Sequence, residues 1–308
     1  MIETVIKMEL PVGEHIAIRK NRIVTNKDIR NPGRITLVSG THGDELEGQY
    51  ICYEVSRRIN EHPEYLEGIV DIFPALNPLG IDMAHRSVPG INMDLNRMFP
   101  GDANGDINER IIAAIIDDII GSDICFDLHA SDIFVREIPQ VRLSEEFAER
   151  LMPFAKLTNV DMIWMNATAT VHEATLAHSL NTMGVPTMVI ELGQGHSINT
   201  EYGNQVVEGI FNVMHEMGLW KGPTAAVQTP ATSGDGEVEF IRSDVCGLFL
   251  SMAQHNHYLK KGELIGRIVD PYSGETLRDI FAGKSGLLFT LRIYPVVYEG
   301  DLLARILT

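Results

Sequence analysis

The chain has 308 residues, and its 25 Lys and Arg stand against 42 Asp and Glu, a formal charge of −17. That length suffices for a packed core in one large domain or two modest ones. So acidic a chain, with no basic stretch, excludes a nucleic-acid partner, and its longest apolar runs, such as 111–116, fall far short of a membrane span.

At the N-terminus Ile6, Met8 and Leu10 alternate with Lys7 and Glu9, and residues 15–24 alternate less cleanly beyond Gly13. This predicts a β-hairpin and not a signal peptide. Short apolar runs follow at 35–38, 69–73, 124–128, 162–165 and 187–190, spaced by helix-length segments. They predict strands buried on both faces of a sheet covered by helices. Asp106 and Glu109 have capping-box spacing ahead of Ile111, Ile112 and Ile115. A helix over 172–183 stops at Gly184 with Pro186 just beyond. Thr200 stands where it can cap a helix carrying Val206, Ile210, Val213, Met214 and Met217, which ends at Gly218. The apolar stripes of these helices read as core packing.

Residues 218–236 are rich in Gly, Pro, Ala, Thr and Ser and keep no apolar period. Beyond them the helical pattern disappears, and 237–241, 248–252, 264–269, 287–292 and 302–307 read as short strands with Gly-containing turns. The expected organisation is a catalytic domain over 1–225, hairpin included, and a C-terminal β domain over 226–308. The cysteines Cys52, Cys125 and Cys246 lie far apart with no CxxC, as suits reduced thiols in the cytoplasm.

The strongest chemical feature is the turn His42-Gly43-Asp44-Glu45, directly after the strand over 35–38. An imidazole and a carboxylate separated by two residues in such a turn can reach one point, and zinc accepts both. His129 ends the run 124–128, and Glu191 ends the run 187–190. Sites in open α/β sheets gather at the carboxyl ends of strands, so these groups point to one centre. Three protein ligands with an open position mark a catalytic zinc, which would leave one of the two carboxylates to act as general base. The segment 77–101 is dense in Pro and Gly and reads as a long functional loop. In it Arg97 can take a carboxylate bidentately with Asn96 beside it, Arg86 can polarise a carbonyl, and Asp94 can accept a ring N–H of a ligand histidine.

His42-Gly43-Asp44-Glu45, Asp94-Leu95-Asn96-Arg97-Met98-Phe99-Pro100-Gly101, Asp127-Leu128-His129 and Glu191-Leu192-Gly193, in this order, resemble the succinylglutamate desuccinylase/aspartoacylase family. The similarity covers roughly residues 35–218, and the order and spacing of the motifs make it specific. The resemblance implies an α/β fold: a zinc-carboxypeptidase-like mixed sheet flanked by helices, with a C-terminal all-β, sandwich-like domain. It implies zinc on His42, Glu45 and His129, and general acid/base catalysis by Glu191. It gives Arg86 the polarised carbonyl, Asn96 and Arg97 the substrate carboxylate, and Asp94 a place behind a zinc histidine.

The expected activity is deacylation of a small N-acyl amino acid or a related carboxylate-bearing amide. A zinc carboxypeptidase acting on short peptides is the alternative, and further copies of the chain stay open as partners. A regulatory protein without turnover would not need Glu191. His255 and His257 are expected to be solvated histidines of one β face, because no third metal ligand accompanies them. Arg136 and Arg142 read equally as substrate contacts or as members of a solvated loop. His196 is a candidate for the pocket wall.

Overall fold

A computed structural model describes residues 1–25, 27–90, 92–166, 174–234 and 237–308. β1 (Ile2–Glu9) and β2 (His15–Val24) form the expected antiparallel hairpin. β2 lies antiparallel to β4 (Ile69–Phe73), and β4 runs parallel to β3 (Arg34–Ser39). β3 pairs in parallel with β5 (Ile124–Ala130), and β5 with β8 (Thr187–Gly193). The next strand is β6 (Val135–Ser144), antiparallel to β8 and parallel to β7 (Met162–Asn166).

The helices are α1 (Glu47–Glu61), α2 (Pro78–Asp82), α3 (Ile107–Ile119), α4 (Glu145–Ala155), α5 (Leu176–Thr182) and α6 (Thr200–Glu216). Ile51 and Val55 of α1 and Ile210 and Phe211 of α6 cluster with Leu37, Phe126 and Ile190 of the sheet. The opposite face gathers Ile112, Ile115, Ile116 and Ile119 of α3 around Val38, Phe73 and Cys125. Each such side chain contributes roughly 1.5–3 kcal/mol on full burial, so both faces of the parallel strands hold the sheet. That two-sided burial explains why those strands read as continuous apolar runs.

The capping box of α3 is present: Asp106 accepts from the backbone N–H of Asn108 and Glu109, and Glu109 accepts from the N–H of Asp106. For α6 the cap moves one residue from the sequence reading. Asn199 has the extended backbone of a cap, and its Oδ1 accepts from Glu201 and Tyr202, whereas Thr200 is already helical. The helix expected over 172–183 is observed from Leu176, with Thr175 as cap, and residues 172 and 173 lie outside the described residues.

Beyond α6 the described chain is all β. β9 (Ala231–Gly234) pairs with β7, and β10 (Val238–Arg242), β15 (Gly286–Arg292) and β17 (Leu302–Leu307) extend the large sheet from β6. β12 (His257–Leu259) adds to β15, while β11 (Gly247–Ser251), β13 (Leu264–Val269), β14 (Thr276–Phe281) and β16 (Val296–Val297) form a second sheet. Phe249, Ile265, Ile268, Leu288 and Ile306 fill the core between them. In the register of β6 and β15, Thr290 stands opposite Glu137, which brings the last strands up to the central sheet. Among the described residues, no helix is long and apolar enough to cross a membrane.

Candidate active site

The parallel strands β3, β5 and β8 are neighbours, and their carboxyl ends carry the polar groups. After Ser39 the chain turns through His42, Gly43, Asp44 and Glu45 before entering α1. Gly43 makes this turn fit, because a Cβ there would lie 2.0 Å from the carbonyl carbon of Gly80. The facing turn at Gly80 is held by Asn77, whose Oδ1 accepts from the Gly80 N–H. His129 comes from β5, the strand beside β3.

The three groups converge. His42 Nδ1 lies 2.7 Å from Glu45 Oε1, His129 Nδ1 lies 2.9 Å from Glu45 Oε2, and the ring centroids are 5.0 Å apart. All three side chains are buried, and one nitrogen or oxygen from each lies within 4.8 Å of the others. Behind each ring stands a carboxylate: Asp94 Oδ1 is 3.0 Å from His42 Nε2, and Asp127 Oδ1 is 3.1 Å from His129 Nε2. Burial disfavours charge on Glu45, yet His129 and His42 hold its carboxyl well below the usual range. Burial likewise opposes charge on the imidazoles, and the carboxylates overcome it. Asp94 and Glu45 raise His42, and Asp127 and Glu45 raise His129 far more.

This donor set fits zinc. Two imidazole nitrogens and a carboxylate face one another, and the carboxylate behind each ring fixes its orientation and strengthens it as a ligand. The protons that the two Nδ1 atoms share with Glu45 are those a divalent cation displaces.

Glu191 lies on β8 directly beside His129 of β5 and lines the same cavity of about 340 Å³. It stands outside the group of converging ligand atoms. Its Oε1 accepts from Arg142 Nη1 at 3.2 Å, and Arg142 Nη2 donates to Glu137 Oε2 at 2.7 Å. Glu137 Oε1 also accepts from Arg305 Nη1 of β17 and from Thr290 Oγ1 of β15. Burial pushes the Glu191 carboxyl up to about 7, against the pull of Arg142 and His129. A carboxyl so raised is suited to exchanging protons near neutral pH.

The remaining candidates come from the segment between β4 and α3, whose described residues include α2 and a 3₁₀ turn (Leu95–Arg97). Arg86 donates through Nη1 to Glu45 Oε1 at 3.0 Å and through Nη2 to Asp94 Oδ2 at 3.1 Å. Asn96 Oδ1 accepts from the N–H of Leu176, the first residue of α5, at 3.0 Å. Arg97 is exposed, and its Nη1 donates to the Asn96 carbonyl. The fold therefore gathers His42, Glu45, Arg86, Asn96, Arg97, His129 and Glu191 around one cavity, with Asp94 behind His42.

The other sequence candidates divide between the cavity and the rest of the fold. His196 is exposed and away from the cavity wall; it donates through Nε2 to the Ala84 carbonyl and through its backbone to the Asp44 carbonyl. His255 is no solvated partner of His257: it sits half-buried in the turn before β12, with Nε2 donating to the Phe289 carbonyl at 3.0 Å. Arg136 and Arg142 belong to a strand and not to a loop, and only Arg142 reaches the cavity. Asp127, Glu137 and Arg305 received no role from the sequence.

A model of the succinylglutamate desuccinylase/aspartoacylase catalytic domain matches residues 32–217. The chain belongs to this family. A relative from Halomonas elongata, N-alpha-acetyl-L-2,4-diaminobutyric acid deacetylase, is 27% identical over 282 residues, 88% of this chain and 80% of the relative. A succinylglutamate desuccinylase structure from a Silicibacter species superposes with a TM-score of 0.85 at 20% identity, covering 99% of this chain and 94% of that one. The product-bound ectoine utilization protein EutE (DoeB) from Ruegeria pomeroyi gives 0.82 at 21% identity, with the same coverages of 99% and 94%. At those identities the structures speak for the fold, which is the expected mixed α/β architecture with its C-terminal β sheet.

Proposed function

We propose that this family member is a zinc-dependent deacylase that hydrolyses the amide bond of a small N-acyl amino acid. One observation carries the reading: Glu191, a carboxyl raised to about 7, faces the cavity of the His42–Glu45–His129 cluster without belonging to it. Zinc on those three residues would supply Lewis-acid chemistry to the amide carbonyl and the attacking water.

The other steps belong to the chain itself. Glu191 takes a proton from the attacking water and passes it to the leaving nitrogen as the C–O bond forms and the C–N bond breaks. Arg142 holds that carboxylate in place through its 3.2 Å contact. Arg86 offers guanidinium N–H groups to the oxygen where negative charge develops, turning from its contacts with Glu45 and Asp94. Arg97 and the Asn96 amide hold the substrate carboxylate, a planar fork matching a planar acid. Asp94 keeps the His42 ring oriented. The catalytic residues 1–225 and the β residues 226–308 form one working unit, because Arg305 reaches Glu137 at the cavity wall. A cytoplasmic setting suits the exposed thiol of Cys246.

The Halomonas relative supports this reading by its name, which is that of a deacetylase of an N-acetyl amino acid. A panel of N-acyl amino acids and dipeptides, offered to zinc-loaded protein, tests it. The deacylase reading expects turnover of the acyl amino acids. Turnover confined to dipeptides makes the protein a carboxypeptidase and overturns it.

A further inference from the structure

We propose that the amino acid released by this enzyme carries an uncharged, apolar side chain, seated in an inner compartment of the cavity between α4 and α5. The proposal rests on the deacylase reading above. The cavity runs along β8 from Glu191 past Val189 to Thr187, roughly 13 Å of strand. Leu143, Phe147, Leu151, Ala177 and Val189 wall this inner stretch.

Several of the polar groups there are already engaged by protein partners. The Asn181 amide donates to the carbonyls of Ala177 and Thr187, and its Oδ1 accepts from the Thr187 N–H and from Arg150. Thr187 Oγ1 donates to the Val185 carbonyl, and the His178 ring packs edge-on against Phe147. Two guanidiniums stand near it: the Nη atoms of Arg142 are committed to Glu191 and Glu137, and Arg150 is tied to Asn181. Ser144 Oγ and Arg142 Nε are buried without a partner among the described residues, so the described walls are mostly apolar, with one hydroxyl, one guanidinium N–H and the His178 ring as their polar groups. A charged group entering it would lose its hydration against described walls that are mostly apolar, a cost of several kcal/mol in general.

The tie from Asn96 to Leu176 decides which arm of the substrate enters. It sets the carboxylate-holding pair against the first turn of α5, beside the wall that carries Ala177. The carbon bearing the carboxylate then adjoins the compartment, and the side chain on that carbon turns inward. Each buried methylene is worth roughly a fourfold gain, so N-acetylleucine should exceed N-acetylalanine in kcat/KM on the order of 50-fold.

The test uses full-length, zinc-loaded protein with N-acetyl derivatives of leucine, alanine, aspartate and 2,4-diaminobutyrate. Ala177→Leu and, separately, Val189→Phe are compared, each checked for folding by circular dichroism. Calorimetric binding of free leucine is measured on the same preparations. Leucine should lead the series, and either filling variant should lose at least tenfold more on it than on N-acetylalanine. Equal or better turnover of aspartate or diaminobutyrate derivatives overturns the proposal and leaves the deacylase reading standing. So does a leucine preference that survives both variants. With no turnover of any derivative the deacylase reading falls; free-leucine binding that the variants weaken then still supports the compartment, and no such binding overturns it too.

Discussion

Replacing Glu191 by glutamine separates proton transfer from metal binding, and the structure sets both expectations. The amide keeps an acceptor for Arg142 Nη1, now 3.2 Å from Oε1, and Arg142 retains Glu137 at 2.7 Å. Burial already pushes this carboxyl up to about 7, so the neutral amide costs the fold little near neutral pH. Stability should stay within about 1 kcal/mol, a Tm change of a few degrees. The converging ligand atoms of His42, Glu45 and His129 do not include Glu191, so zinc content should be unchanged. Proton transfer, however, is lost from both halves of the reaction. General acid–base catalysis contributes about 10²- to 10⁴-fold, or roughly 3–5 kcal/mol of barrier, and the loss should appear in kcat with KM nearly constant. Zinc by elemental analysis and steady-state rates on one preparation decide the matter. Full zinc with nearly full activity removes Glu191 from the mechanism, and loss of zinc makes it a ligand.

Arg97→Ala should lower turnover of carboxylate-bearing substrates by tens- to thousands-fold, the roughly 2–5 kcal/mol of a truncated charge pair, while an amidated analogue loses little; equal losses would make Arg97 structural. Arg142→Gln removes a positive charge that holds the Glu191 carboxyl down, so the acid limb of kcat/KM should move to higher pH. In the parent enzyme that limb should lie no higher than about 7, since a bound cation adds further positive charge, and an unmoved limb in the variant would detach Arg142 from Glu191. Zinc binding near neutral pH should release roughly one to two protons per ion, because His42 and His129 are both raised toward the protonated form. Calorimetry in buffers of different ionisation enthalpy reads that number, and zero release would contradict the Nδ1 contacts with Glu45.

What the sequence made legible follows from burial. β3, β4, β5, β7 and β8 are apolar runs because helices or further strands cover both of their faces. The ligand turn could be read because it lies at the end of the first of them. β6 escaped notice, since Arg136, Glu137, Pro139, Gln140 and Arg142 interrupt its apolar residues Val135, Ile138, Val141 and Leu143. Those interruptions are the cavity wall: Glu137 and Arg142 are polar because they face Glu191 and one another. Alternation is confined to the end of the strand, Val141 to Ser144, because a register shift between Glu137 and Gln140 breaks the period upstream. Arg305 was out of reach, because only the long-range pairing of β6 with β15 and of β15 with β17 carries it to Glu137. The composition change at 218–236 is no break in the sheet, because β9 lies inside that stretch and pairs with β7.

The central claim is that His42, Glu45 and His129 hold the ion on which hydrolysis depends. Protein stripped with a chelator and titrated with zinc tests it most directly, with bound metal and amide hydrolysis followed in the same sample. About one zinc per chain should bind and restore turnover in step, while His42→Ala and His129→Ala, each leaving two protein ligands, should bind weakly and stay inactive. Either variant retaining about one tightly bound zinc per chain, or stripped protein hydrolysing the amide at the full rate, would contradict the account.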